Sequence, residues 1–151
     1  MNEHEINIVL AHSVGLENAV KDLSSAISAA NQSNPYGMPG IVYKLADDKL
    51  GFSLRVHGRD LVPKYEQLRS HDGDFPELYA RITLCFPDRE GRPDQPVFAV
   101  LIDRNGRFSV DGTTNLRYDL AARQHFDYAR QQLTLGIVAA VRKEMPIFQL
   151  S

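Results

Sequence analysis

The apolar positions of this chain change period twice. From Leu16 they fall at Leu16, Val20, Leu23, Ile27 and Ala30, a 4,3,4,3 spacing that puts them on one side of a helix. Upstream, Ile6, Val9, Leu10 and Val14 continue that spacing, while Ile6, Ile8 and Leu10 also alternate as a strand would; the helical extension is the preferred reading. "NQSNPYGMPG" (31–40) then predicts a helix end near Asn31 and a loop, because its residues stop helices and form turns.

Over the next seventy or so residues the period is two. "IVYKLA" (41–46), "LGFSLRVH" (50–57), "LYARITLCF" (78–86), "PVFAVLID" (96–103) and "RFSVD" (107–111) each alternate or run apolar between turn residues. They predict an antiparallel meander of about five strands. "ADDK" and "RNGR" are short enough for tight hairpins, "PDREGRPDQP" (87–96) reads as a longer exposed loop, and one or two helical turns are expected between Lys64 and Arg69.

Helical spacing returns after "DGTTNL", with Asp119 or Asn115 placed to cap a helix running to about Glu144 before Pro146. Phe126, Ala129, Leu133, Ile137, Ala140 and Val141 form its main face. "LTLGIVAAV" (133–141) is apolar almost all round, so Leu135 and Val138 project away from that face and call for a second cover. A homodimer with both residues in its interface is the expectation. The fold class is α+β, one domain over 1–151, with an N-terminal and a C-terminal helix packed on one face of the sheet.

Composition narrows the function. The chain has 151 residues, 43% hydrophobic and 24% charged, which suits a single core. A net charge of −2 gives no global field for nucleic acid or membrane surfaces, so neither partner is expected. No apolar run reaches the length needed to cross a bilayer, the N-terminus lacks a secretory pattern, and the single cysteine suits a reducing compartment. A cytoplasmic location is expected.

Candidate chemistry is sparse. "DRNGRFSVDG" (103–112) has the rhythm of a calcium loop, but counted from Asp103 the sixth position is Phe108 and the twelfth Thr114, where such a loop needs Gly and Glu. Asn105-Gly106 instead suits a type I′ hairpin turn, whose two central residues need positive φ. His125 and Asp127 point apart on one helix, and His71 with Asp72 and Asp74 has no recognisable ligand spacing. Cys85 reads as a packing residue. With no nucleophile elbow or phosphate loop, neither cofactor nor metal is expected, and catalysis is not favoured.

One constellation survives. Strand alternation places Arg55, His57, Tyr79, Arg81 and Arg107 on the sheet face opposite the helices, with Arg59 nearby. Their donors suit a carboxylate, a phosphate or an acidic protein segment. In layout alone the element order resembles small secretion chaperones and bacterial immunity or inhibitor proteins. The expected function is a small non-catalytic binding protein of adaptor, inhibitor, immunity or chaperone type that engages a protein partner. The alternative is an anionic small-molecule site, enzymatic or not, on the sheet face.

Overall fold

The structure, a computed structural model, describes residues 2–29, 41–70, 73 and 77–148. Asn2 opens the first helix with a reciprocal cap: its Oδ1 accepts the Glu5 N–H at 2.8 Å, and its own N–H donates to Glu5 Oε2 at 3.0 Å. Two of the donors that a helix start leaves unpaired are thereby satisfied. Helix α1 then runs unbroken over Glu3–Ala29, so residues 5–14 are helical, not a strand. The expected helix end near Asn31 and the turn-rich stretch 31–40 lie outside the described residues.

Seven antiparallel strands follow: β1 (Val42–Leu45), β2 (Phe52–Val56), β3 (Arg59–Arg69), β4 (Leu78–Pro87), β5 (Pro93–Asp103), β6 (Arg107–Ser109) and β7 (Tyr118–Asp119). Each neighbours the next in chain order. Helix α2 (Arg123–Lys143) completes the α+β fold. Phe52, Leu54 and Val56 of β2, Leu61 of β3, Ala80, Ile82 and Leu84 of β4, and Val100 and Ile102 of β5 form one core cluster. Leu16, Ala19, Val20, Leu23 and Ile27 of α1 and Ala129, Leu133, Ile137 and Val141 of α2 belong to it too, so both helices cover one side of the sheet.

The strand count exceeds the expected five because two segments hide their period. Where a helical turn was expected near Lys64–Arg69, β3 continues, held to β4 from Val62↔Cys85 to Arg69↔Leu78. Pairing with a long neighbour overrides the helix propensity of "KYEQLR". The two-residue β7, too short to show a pattern, is fixed by Arg107↔Asp119 and Phe108↔Tyr118.

The turns depart from expectation in a common way. "DREGR" (88–92) is a tight turn between β4 and β5, not a long loop, and "DRNGR" (103–107) repeats its geometry at the other end of β5. In each, the leading Asp Oδ1 accepts the N–H groups two and four residues on, at 2.9–3.0 Å. Each then places its Gly at φ +83°. Asn105 does not share that positive φ, so the second turn is not type I′. It is a type I turn followed by a left-handed Gly. The Asp103 carboxylate serves the backbone of its own turn.

At the start of α2 neither expected cap is used. Ala122 is the N-cap without a side-chain bond, and Asp119 Oδ1 accepts the Ala121 N–H instead. Val138, expected to project off the core, is only 9% exposed and joins it, whereas Leu135 faces outward. The reason is angular: Val138 is about 100° round from Ile137, at the edge of the packed face, and Gly136 lets the helix sit close to the Phe98 ring.

Candidate interaction surfaces

The register separates the five residues expected to form one polar surface. Arg55 stands opposite Asp60 and Arg81 opposite Glu66. Those partners are six residues apart on β3, about 20 Å. His57 leaves the face altogether: it begins the two-residue turn His57-Gly58 with φ +52°, and its Nε2 accepts a bond from Arg142 Nε at 3.4 Å. Tyr79, Arg81 and Arg107 do fall in adjacent rows, through Tyr79↔Asp103, the Arg107 N–H bond to Asp103, and Arg81↔Leu101.

Charge on this face is largely answered in place. Arg81 donates from Nε and Nη2 to Glu66 Oε1 at 2.9 and 2.7 Å, and Arg55 lies 3.5 Å from Asp60. Arg59, opposite Val56 and so on the helix-covered side, places its guanidinium carbon 3.7 Å from the Phe86 ring centre. Cys85, on the same face as Arg81, is buried, and desolvation pushes its thiol pKa up, against nucleophile chemistry. Two cavities open elsewhere. One, of about 760 Å³, is lined by Asp22, Ser25, Ala26, Leu120, Arg123 and Phe126. Another, of about 250 Å³, lies among Phe98, Asp111, Asn115, Arg117, Gln132 and Gly136. Neither reaches any of the five expected residues.

A buried polar node joins the two helices to the sheet edge. Thr134 Oγ1 donates to the Arg130 carbonyl at 3.0 Å, so the Tyr43 hydroxyl is the donor in its 2.6 Å bond to Thr134. Arg130, 5% exposed, donates from Nε to the Ile27 carbonyl at 3.3 Å. A cation there complements the C-terminal end of α1. Burial pushes the Tyr43 pKa up, outweighing the Thr134 bond and the Arg130 charge. Sequence reasoning passed over Arg130 and Thr134, although both fall on the Leu133–Ile137–Val141 side of α2.

An uncovered apolar surface lies along the first half of α1. Among the described residues none before Leu16 belongs to the core cluster, and Ser13 Oγ, donating to Gln67 Oε1 at 3.1 Å, ties the helix to β3 just as it leaves the core. Around and beyond that point Ile6, Val9, Leu10 and Val14 are exposed, the last two at 59% and 57%. Along one line of the helix the order is Glu3, Ile6, Leu10, Val14, Glu17, spaced 3,4,4,3, with Val9 on its shoulder. No Lys or Arg precedes Lys21, so the stripe is apolar with an acidic residue at each end.

After α2, Met145, Ile147 and Phe148 are also exposed, Ile147 at 85% and Phe148 at 84%. They follow the basic pair Arg142-Lys143. Among the described residues no three His, Cys, Asp or Glu side chains are placed to hold a metal, and no helix is long and apolar enough to cross a membrane. The expected ligand candidates His71, Asp72 and Asp74 lie outside the described residues, as does the side chain of His125. No known protein family, curated protein or solved structure matches the chain.

Proposed function

We propose that this protein is a non-catalytic binding module that engages a protein partner through the projecting half of α1. The observation that carries this reading is the capped but uncovered helix, with Ile6, Leu10 and Val14 exposed between Glu3 and Glu17. A contiguous apolar stripe rimmed by charge is the ordinary form of an interaction site. Its acidic ends select a partner segment that is apolar with basic side chains beside it. The single, buried thiol of Cys85 suits the reducing cytoplasm. An anionic ligand on the sheet face has less in its favour, because Arg55 and Arg81 each already face a carboxylate.

The test compares proteins captured from the host by wild type and by the Leu10→Glu, Val14→Glu double variant. A specific partner retained by the wild type and lost by the variant is the expected outcome. A partner that binds both equally, and is lost instead on replacing Tyr79, Arg81 and Arg107, moves the site to the sheet.

A further inference from the structure

We propose that the segment Met145–Phe148 of a second copy occupies the α1 stripe, so that two chains pair reciprocally, each segment lying on the other's helix. The proposal rests on reading α1 as a docking surface, and it names the occupant in the absence of another partner. The chain itself contains a segment of the chemistry that the stripe selects: Arg142-Lys143, then Met145, Ile147 and Phe148, all three exposed; the intervening Glu144 has its carboxylate bonded by Gln95 Nε2 at 3.1 Å, and Arg142 Nε donates to His57, which leaves Lys143 as the free base. The lengths agree. Glu144 and Met145 still bond back to the end of α2, so the free part, Met145 to Phe148, spans about 10 Å if extended, against about 12 Å from Ile6 to Val14 along the helix.

Geometry argues against the segment's own helix. Glu144 is held at the beginning of β3, where Arg59 Nη1 donates to its carbonyl at 3.5 Å, while α1 leaves the sheet at Gln67 near the end of that strand. Eight residues of β3 separate the two points, about 26 Å, whereas the four residues from Glu144 to Phe148 reach at most about 14 Å. Charge argues against the stripe pairing with its own copy. Antiparallel about Leu10, Glu3 meets Glu17 of the other chain; in parallel, each glutamate meets itself. A reciprocal helix-to-segment contact places acid opposite base twice and closes as a two-fold dimer.

Light scattering at tens of micromolar tests this with the full chain. The wild type is expected at twice the 17.0 kDa of one chain. Leu10→Glu and Phe148→Glu should each run as monomers with native circular dichroism, and Ile147→Glu should match Phe148→Glu. Mixed together, Leu10→Glu and Phe148→Glu should regain dimer, because one intact helix then meets one intact segment. That recovery is peculiar to a helix-to-segment contact. A monomeric wild type, or a mixture that stays monomeric, overturns the proposal. A dimeric Phe148→Glu beside a monomeric Leu10→Glu removes the segment as occupant but keeps α1 as the surface; dimers from both variants put the self-contact on another face and overturn the proposal, while α1 as the surface for a different partner is decided by the capture experiment.

Discussion

The Tyr43 hydroxyl and Thr134 Oγ1 meet at 2.6 Å inside the protein, joining the edge strand β1 to the middle of α2 across 91 positions of sequence. Thr134→Val removes that bond while keeping the side-chain shape, and a loss of about 1 kcal/mol in chemical denaturation is expected. Tyr43→Phe should cost a similar amount, and the double variant less than the sum, since both delete the same bond. The raised Tyr43 pKa adds a pH signature. The native state holds the phenol proton where the unfolded chain releases it, so this stability is fully present below pH 10 and is lost as pH rises above it. Melting temperature against pH should therefore fall less steeply above pH 10 in Tyr43→Phe than in the wild type.

The repeated turns "DREGR" and "DRNGR" predict a matched pair of effects. Asp88→Ala and Asp103→Ala each delete two bonds to backbone N–H groups, at a cost of about 1–2 kcal/mol apiece. Gly91→Ala and Gly106→Ala force a Cβ into the left-handed region, with a loss of about 1–2 kcal/mol each. Asn105→Ala should be within about 0.5 kcal/mol of wild type, because its φ is not positive. A large loss there in thermal unfolding contradicts the turn type, and a calcium-dependent rise in melting temperature contradicts the role of Asp103.

Those turns also show what can be read from a chain. Glycine after Asp-Arg-X announced a reversal between β5 and β6, but whether Asn105 or Asp103 does the work depends on φ and on where the carboxylate turns. The main faces of both helices were legible from period, as were the alternating strands β2 and β4. β3 was not, because "KYEQLR" carries helix formers and is a strand only through its pairing with β4. The expected arginine surface is spread out for a related reason: alternation tells which face a residue takes, but not its height along the strand. Register alone sets Arg55 about 20 Å from Arg81. The exposed stripe of α1 was visible as periodicity, yet the same pattern marks a core face, and only tertiary contacts distinguish the two.

The arginines should respond unequally to replacement. Arg55→Ser and Arg107→Ser remove exposed charges, and each should shift stability by no more than about 0.5 kcal/mol. Arg81→Ser breaks a close, half-buried pair and strands Glu66, so a larger loss, about 1–2 kcal/mol, is expected. Added salt should narrow the gap between Arg81→Ser and the wild type, since screening weakens the pair. Equal melting temperatures for all three variants contradict this division.

Gly136 and Phe98 set two effects in opposition. Alanine is the better helix former by about 1 kcal/mol, but a Cβ at position 136 comes within 2.8 Å of Phe98 Cζ. Overpacking costs about 1–3 kcal/mol, so Gly136→Ala should destabilise the wild type. In a Phe98→Leu background the shorter side chain leaves room, and the same substitution should stabilise. Urea titrations of the four proteins check the change of sign; Gly136→Ala stabilising both backgrounds refutes close packing at this point.

Val14 and Leu16 mark where α1 enters the core, the first 57% exposed and the second fully buried. Truncating the two should therefore have very different consequences. Leu16→Ala opens a cavity among Val20, Leu23 and their sheet contacts, at a cost of about 2–5 kcal/mol. Val14→Ala removes an exposed branched side chain from a helix, and should leave stability unchanged or raise it by a few tenths of a kcal/mol. The comparison belongs at a concentration where light scattering shows a monomer, so that each chain stands alone. Hydrogen exchange under those conditions should show amides 7–12 opening at far lower free energy than amides 19–27, because the former depend on helix hydrogen bonds and the latter on the core as well. Equal protection across the whole helix, or equal losses for Val14→Ala and Leu16→Ala, means that the first three turns are covered by the chain itself, and the docking surface proposed for α1 then falls with them.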